Sequence, residues 1–430
     1  MKKRLQRKLP FMIGILQFAF LPLFLAACTS FPFTSAPPPT STPLPEESTP
    51  LTSTPEEVET PAGEDDAPQT LQIWLPPEFD PKSETKAGIV LRARLDEFQN
   101  RRPDLTLEVR IKSVEGQASL LNSLIAAKQA APSAMPDLVA LKRPDLESAA
   151  LQGILHPIDG LTTSLDDPDW FPYVRPLAHI QNSTYGLPFA ANLLALLQHS
   201  AEETTLPSST ENSPEDKKQI IFPADNAQSQ LAFCLYTANG SLLRDEQGQP
   251  TLANEELTRL LGFFQSDLIS PLSAEISTAE EVWAALPSQP NLNAIIWTSD
   301  YFKRMPAETT LSTIPGPEES PCSLASAWIW ALAGASPDLQ PAAVELAEFL
   351  SESEFLAEWT SALGNLPTRP TALDETNNTA LLELSLIAQP IPPADIVQRL
   401  GEILRVATIS VLQEQVSPGA AAEEALEKIQ

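Results

Sequence analysis

The sequence predicts an α/β protein, because short apolar strands alternate with amphipathic helices from residue 71 onward. Residues 71–75 are typical of a strand, and the apolar residues of 88–100 recur at helical spacing. The same alternation continues with strands over 105–111 and 137–141 and helices over 119–129 and 145–153. Strands that alternate with helices of about 10–15 residues favour a largely parallel sheet. A chain of 430 residues also favours two domains or two lobes.

The composition excludes several classes of protein. Hydrophobic residues make up 43% of the chain, which is enough for a large core. The formal charge is −29, from 27 basic and 56 acidic residues, and this argues against nucleic acid as a partner. Three histidines and three cysteines show no metal-ligand spacing. The sequence contains no G-x-S-x-G, H-E-x-x-H or P-loop motif, so we expect neither enzyme activity nor a cofactor.

The N-terminus has the pattern of an export signal. Five basic residues precede an apolar run over 9–25, and small residues follow it before Cys28. A membrane-spanning helix is the alternative, because the run is almost long enough to cross a bilayer. Pro10 and Pro22 interrupt the run, and no basic stop-transfer cluster follows it. These features favour a signal peptide over 1–27.

The residues around Cys28 predict a lipid anchor on a stalk. The sequence L-A-A-C at 25–28 resembles the lipobox of bacterial lipoproteins, which implies acylation of Cys28 and anchoring to the outer face of the cell membrane. Residues 28–70 are rich in Pro, Ser and Thr and carry eight acidic residues but no basic ones, so we expect a disordered tether. This tether is either a spacer through a cell-wall layer or a plain linker.

Five stretches of the remaining chain occur in the order typical of a known family. They are I-W at 73–74 with E-F-Q-N-R-R-P-D-L-T-L-E-V at 97–109, P-D-L-V-A-L at 136–141 with L-Q-G-I-L-H-P-I-D at 151–159, Y-G-L-P-F at 185–189, N-G-S-L-L at 239–243, and S-A-W-I-W-A-L at 326–332 with G-N-L-P-T-R at 364–369. In order and spacing they resemble the family 1 extracellular solute-binding proteins of ABC importers, the maltose-binding-protein type.

The resemblance implies a two-lobed periplasmic-binding-protein fold of type II, with hinge crossings and a helical C-terminus. Such proteins close their lobes around a ligand in the cleft. Carried onto this chain, lobe one comprises 71–187 and 295–322, and lobe two comprises 188–290 and 323–430. The implied crossings lie near 189–192, 294–298 and 323–328.

The function that the resemblance implies is solute uptake. A lipid-anchored monomer outside the cytoplasm would deliver a carbohydrate or a similar polar solute to the permease subunits of an ABC transporter. The alternative is a relative that has lost transport and acts as a surface binding or sensing module. This alternative stays open because family segments expected in 198–222 and 283–293 are missing, which predicts a reduced lobe two.

The resemblance also implies which side chains face the cleft. Aromatic rings suit the C–H face of a sugar, and a few polar groups orient the ligand. The candidate ligand-binding residues are Trp74, Glu78, Lys142, Arg143, Asp145, Tyr185, Asn192, Trp297, Asp300, Tyr301 and Trp328. Trp74 could equally belong to the core, and Tyr185 could be structural. The three charged residues of 142–145 could simply begin a helix.

Two cysteines, Cys234 and Cys322, remain besides the lipidation site. Export permits a disulfide bond between them, but nothing in the sequence places them within bonding distance. We therefore expect two buried free thiols.

Overall fold

The computed structural model describes residues 68–199, 218–238, 240–289, 291–334, 336–374 and 379–429. All of these belong to one compact unit, Gly63–Gln430. The predicted signal peptide, the lipidation site Cys28 and the tether up to residue 67 lie outside the described residues. The predicted end of the tether at residue 70 is wrong by two residues, because Gln69 and Thr70 already belong to the first strand.

The described residues form thirteen strands and fourteen α-helices. The strands are β1 (Gln69–Leu75), β2 (Leu105–Ile111), β3 (Leu138–Lys142), β4 (Leu155–His156), β5 (His179–Ile180), β6 (Ser183–Thr184), β7 (Leu187–His199), β8 (Gln219–Ile221), β9 (Leu292–Trp297), β10 (Thr309–Ser312), β11 (Leu324–Ala333), β12 (Leu366–Pro367) and β13 (Gln389–Pro390). The helices are α1 (Lys86–Arg101), α2 (Leu120–Ala130), α3 (Arg143–Leu151), α4 (Val174–Ala178), α5 (Gln230–Ala238), α6 (Asn254–Phe264), α7 (Ala279–Ala285), α8 (Thr298–Arg304), α9 (Gln340–Phe349), α10 (Ser353–Leu363), α11 (Pro370–Asp374), α12 (Thr379–Ile387), α13 (Ala394–Leu412) and α14 (Pro418–Ile429). No helix in this part of the chain combines the length and the apolar character needed to cross a membrane.

Local signals place the first elements where the sequence predicts them. The strand predicted over 105–111 is β2, and α1 differs from its predicted bounds by at most two residues. The hydroxyl of Thr85 caps α1 by accepting a hydrogen bond from the N–H of Gly88 at 3.1 Å. Gly153, predicted to end the third helix, has a φ of +63°, which glycine adopts without steric strain.

One large sheet organises the fold, in the order β2-β1-β3-β11-β7-β9-β8. The predicted parallel arrangement holds for β1 with β2 and β3, and for β8 with β9. It is wrong at the centre of the sheet, where β11 is antiparallel to both β3 and β7. The reason is that β11 returns from a distant part of the chain in the opposite direction, so local alternation of strands and helices does not specify its orientation.

Strands β7 and β11 cross between two halves of the sheet. We call β1–β4 the first sheet half, and β8–β10 together with α8, which directly follows β9, the second sheet half. Residues 187–193 of β7 pair with β11, whereas 194–199 pair with β9 and β10. Residues 328–332 of β11 pair in turn with β3. Both strands contain a predicted crossing, near 189–192 and 323–328.

The packing differs from the lobe division drawn from the sequence in two places. Strand β9 lies between β7 and β8, so 294–298 is not a crossing between the sheet halves. Helices α9 and α10, predicted for lobe two, pack against α1 of lobe one, where the rings of Phe98 and Phe349 lie 5.5 Å apart. The sequence shows that these elements exist, but it does not show which sheet half each one covers.

Four aromatic side chains form a fully buried group at the crossing strands, which we call the aromatic cluster: Phe79, Phe189, Trp330 and Trp359. The Phe189 ring stacks on Trp330 with centroids 4.3 Å apart and on Trp359 at 5.3 Å. Phe79 meets Phe189 edge-on at 5.5 Å. The cluster therefore holds β7 and β11 against α10 through aromatic contacts.

A disulfide bond joins Cys234 to Cys322, with Cα atoms 5.9 Å apart. The prediction of two free thiols is wrong. The bond connects α5 to the segment just before β11, and both cysteines are buried in the same hydrophobic cluster. Their sequence separation of 88 residues gave no indication of this proximity.

Candidate functional site

A cavity of about 230 Å³ lies where β7 and β11 cross between the sheet halves. The crossing strands supply Asn192, Ser326 and Trp328, and Asn192 pairs with Ser326 across the two strands. Trp297 contributes from the end of β9, and Lys142 from the end of β3. Both sheet halves therefore line the cavity, and a ligand in it would contact both.

A second cavity, of about 390 Å³, shares Lys142, Trp297 and Ser326 with the first. It continues between α3 and the N-termini of α5 and α13. Its additional polar groups include the amides of Gln230 and Gln398, beside apolar side chains. The two cavities together are called the cleft below. Mixed apolar and amide walls are typical of small-molecule sites.

Trp297 lies at the centre of the cleft, since its side chain lines both cavities. It is partly exposed, and its indole Nε1 donates a hydrogen bond to Oε1 of Gln230 at 3.1 Å. This bond fixes the orientation of the ring. A partly exposed indole that is held in place can present its face to the C–H groups of a ligand.

Trp328 also lines the cleft, but only 6% of it is exposed. The ammonium group of Lys142 lies 4.9 Å from its ring centroid, and the edge-on ring of Phe79 packs against it at 5.1 Å. Trp328 therefore forms part of the cleft wall, and its ring positions the Lys142 ammonium group through a cation–π contact.

Asn192 links the crossing strand β7 to α8. Its Oδ1 accepts hydrogen bonds from the Ser299 N–H at 2.9 Å and from the Thr298 hydroxyl at 3.1 Å. The Thr298 Oγ1 accepts in turn from the N–H of Leu193 at 3.0 Å. A ligand that contacts Asn192 would therefore touch a group that connects the crossing strand to the second sheet half.

Arg143 lines the second cavity, but its guanidinium is occupied by protein groups. It donates to the backbone carbonyls of Leu177 and His179, at 3.0 and 3.2 Å, and lies 3.8 Å from the Glu147 carboxylate. Burial lowers the pKa of Arg143, an effect that Glu147 partly offsets. Glu147 also accepts a hydrogen bond from the N–H of Ala394, in the first turn of α13. These contacts indicate a structural role for Arg143.

A larger cavity, of about 610 Å³, lies away from the crossing strands. The loop 158–166 forms most of it, together with Thr184 and Glu348. No aromatic ring and none of the predicted site residues line it. Volume alone does not make a binding site, and we therefore assign the site to the aromatic-lined cleft.

The comparison with protein families decides the family. A model described as "Bacterial extracellular solute-binding protein" matches residues 93–383. This chain belongs to that family. The resemblance drawn from the five sequence stretches is thereby confirmed, and the family is one of extracellular binding proteins. A comparison with curated proteins finds no match.

Solved structures of maltose-binding proteins share the fold of this solute-binding protein. The sugar-binding protein MalE from Xanthomonas citri has a TM-score of 0.66 at 17% identity, over 84% of this chain and 96% of that one. A cyclo/maltodextrin-binding protein complexed with maltotetraose has a TM-score of 0.64 at 19% identity, over 86% and 98% of the two chains. MalE from Listeria monocytogenes, in complex with maltose, has a TM-score of 0.64 at 15% identity, over 84% and 97%. The two-lobed α/β fold is thereby confirmed.

Within this solute-binding protein, the cleft brings together six of the eleven predicted site residues: Glu78, Lys142, Arg143, Asn192, Trp297 and Trp328. The other five do not line it. Trp74 is buried, with 3% exposed and Lys112 over its ring. Tyr185 packs against the hydrophobic core, and the Tyr301 hydroxyl donates to the carbonyl of Thr309.

The two remaining predicted residues, Asp145 and Asp300, are half-buried beside lysines of the cleft. Burial raises the pKa of both carboxyl groups. Lys142 lowers the pKa of Asp145, and Lys303 and Arg304 lower that of Asp300, but the net direction is upward. Asp300 lies on α8 together with Lys303, and Asp145 lies in the first turn of α3, just after Lys142 at the end of β3.

Sequence reasoning missed several polar residues of the cleft: Gln228, Gln230, Ser299, Lys303, Asn365 and Gln398. For two of these residues, the sequence did indicate a position in the cleft. Ser299 and Lys303 follow Trp297 on the next turns, so a cleft position for the tryptophan already implied theirs. Asn365 follows Gly364, which ends α10 with a φ of +71°, and nothing in the sequence connected this turn with the cleft.

Proposed function

We propose that this solute-binding protein holds a saccharide in the cleft and delivers it to the permease of an ABC transporter. The observation that carries the proposal is the position of Trp297, an oriented indole at the centre of a cleft that both sheet halves line. The amides and hydroxyls of Asn192, Ser326 and Gln230 are suited to sugar hydroxyl groups. The solved structures with maltose and maltotetraose belong to proteins of the same fold, which also supports this ligand class.

The crossing strands give the proposal a mechanism. A ligand that contacts Lys142 from the first sheet half and Ser299 from the second favours the state in which the halves are closest. The closed state would present both halves in one arrangement to the permease. Hinge closure of this kind is a recurrent switch in binding proteins.

We further propose that the chain is exported and anchored through an acylated Cys28. The support is the predicted signal peptide over 1–27 and the extracellular character of the family. The tether would then separate the binding protein from the membrane. Mass spectrometry of the N-terminal peptide tests this proposal, since a peptide that begins at Cys28 without acyl chains would contradict it.

A thermal-shift screen against neutral and acidic mono- and oligosaccharides tests the binding function. A ligand at a hundred times its dissociation constant stabilises the protein by about 2.7 kcal/mol, which raises the melting temperature measurably. We expect at least one saccharide to do so. The substitution Trp297→Ala should weaken its binding about thirtyfold, the effect of removing an aromatic anchor worth roughly 2 kcal/mol.

Trp283→Ala is the matched control for this screen. Trp283 is half-buried and lines none of the described cavities, so its loss should lower the melting temperature without changing the ligand-induced shift. The proposal fails if no saccharide shifts the melting temperature of the wild-type protein. It also fails if Trp297→Ala and Trp283→Ala show the same shift as the wild type.

A further inference from the structure

Two lysines of the cleft form no ion pair with a carboxylate of the part of the chain that the structure describes. Lys142 ends β3 in the first sheet half, and Lys303 lies on α8, directly after β9 of the second half. Both line the cavity at the crossing strands, and both are exposed. Among the described residues, the close contact of the Lys142 ammonium group is the ring of Trp328, and neither lysine is within ion-pair distance of an acidic group.

What distinguishes these two lysines is their place in a concave site, because Lys428 is the described lysine that does form an ion pair and it lies outside the cleft. Acidic residues outnumber basic ones by 56 to 27. Most described arginines are paired with carboxylates, as Arg102 is with Asp104 and Arg304 with Glu280. Cations left unpaired in a concave site of an acidic protein attract an anionic ligand, because low-dielectric walls focus their field.

The acidic groups near the lysines set the remaining requirements on the ligand. Glu78 lines the same cavity from the loop after β1, and its exposed carboxylate can accept hydrogen bonds from hydroxyl groups. Asp145 and Asp300 are close to Lys142 and Lys303 but do not line the cavity. A ligand that satisfies this lining has an anionic group for the lysines and hydroxyl groups for Glu78 and the amides.

We propose that the solute is an anionic saccharide, whose carboxylate, sulfate or phosphate group lies between the ammonium groups of Lys142 and Lys303. This inference rests on the proposed binding function and specifies its substrate class. Lysine acts as a compact point charge and suits each of these anions. Since the lysines belong to opposite sheet halves, the anion would neutralise both and hold the halves together.

Isothermal titration calorimetry on the whole exported protein tests this inference. The probes are digalacturonate, N-acetylgalactosamine 6-sulfate and glucose 6-phosphate, with digalactose, N-acetylgalactosamine and glucose as neutral counterparts. We expect at least one anionic probe to bind more tightly than its neutral counterpart, by about tenfold or more. The affinity for this probe should fall as salt is added, because salt screens the lysine charges. Which anionic probe binds identifies the charged group.

Variants connect the binding to the two lysines. We expect binding of the anionic probe to weaken about tenfold or more in Lys303→Gln and in Lys142→Gln. The variant Lys303→Arg keeps the charge and should retain most of the affinity. Lys428→Gln is the matched control, because Lys428 pairs with Glu424 on α14 and lines none of the described cavities. Lys303 is exposed, so the folded state of its variant, checked by circular dichroism, should be unchanged.

The outcomes separate this inference from the proposed function. If a neutral saccharide binds as well as its anionic counterpart and Lys303→Gln has no effect, the anionic ligand is ruled out and saccharide binding stands. If no saccharide binds, both proposals fail. If inorganic phosphate binds as tightly as glucose 6-phosphate, the sugar contributes nothing and the saccharide assignment is overturned.

Discussion

Replacing Phe189 with Ala is expected to lower the free energy of unfolding by about 4 kcal/mol. Phe189 is fully buried in the aromatic cluster, where its ring touches Trp330, Trp359 and Phe79. Its loss removes these contacts and leaves a cavity that the paired backbones of β7 and β11 cannot fill by moving together. Urea denaturation followed by tryptophan fluorescence measures the change.

Leu386→Ala is the matched control for this substitution. Leu386 is 52% exposed at the end of α12, so removing its side chain should change the free energy of unfolding by less than about 0.5 kcal/mol. A Phe189→Ala protein as stable as the Leu386→Ala protein would contradict the packing of the aromatic cluster.

Removing the disulfide is expected to have the second largest effect on stability. The double substitution Cys234→Ala/Cys322→Ala should lower the free energy of unfolding by about 3 kcal/mol. The bond closes a long loop, because its cysteines are 88 positions apart in the sequence, and it therefore restricts the unfolded chain strongly. Both side chains are small and buried, so alanine disturbs their surroundings little. Urea denaturation without reductant measures the difference.

The reductant supplies the control for the disulfide. The wild-type protein should lose a comparable amount of stability when reduced, whereas the double variant should be unaffected. Wild-type protein that shows two reactive thiols after denaturation without reductant would contradict the bond.

The sequence predicted the elements of the fold better than their arrangement. The bounds of β2 were predicted correctly because its apolar residues alternate and proline precedes it. The orientation of β11 could not be predicted, since it depends on pairing with β3 and β7, which lie far away in the sequence. The same limit applies to α9 and α10, which pack against α1 although some 240 residues separate them from it.

The sequence predicted the site residues correctly where the end of a strand determines the position of the side chain. Trp297 and Lys142 end strands of the sheet, and both line the cleft. Trp74 also lies near a strand end, but its side chain is buried in the hydrophobic core, and the sequence does not distinguish a buried tryptophan from one that lines a cleft. Arg143 was misread because its carbonyl partners, Leu177 and His179, come from a segment that local patterns do not connect with α3.

The central claim is that the solute binds in the cleft between the sheet halves. Hydrogen–deuterium exchange, measured with and without the saccharide that gives the largest thermal shift, tests this claim most directly. If the solute binds in the cleft, hydrogen exchange should slow in peptides that cover 142–147 and 297–303, which come from opposite sheet halves. Exchange should not change in the loop 158–166, which lines the larger cavity elsewhere. Protection confined to that loop, or to one sheet half alone, would contradict the claim.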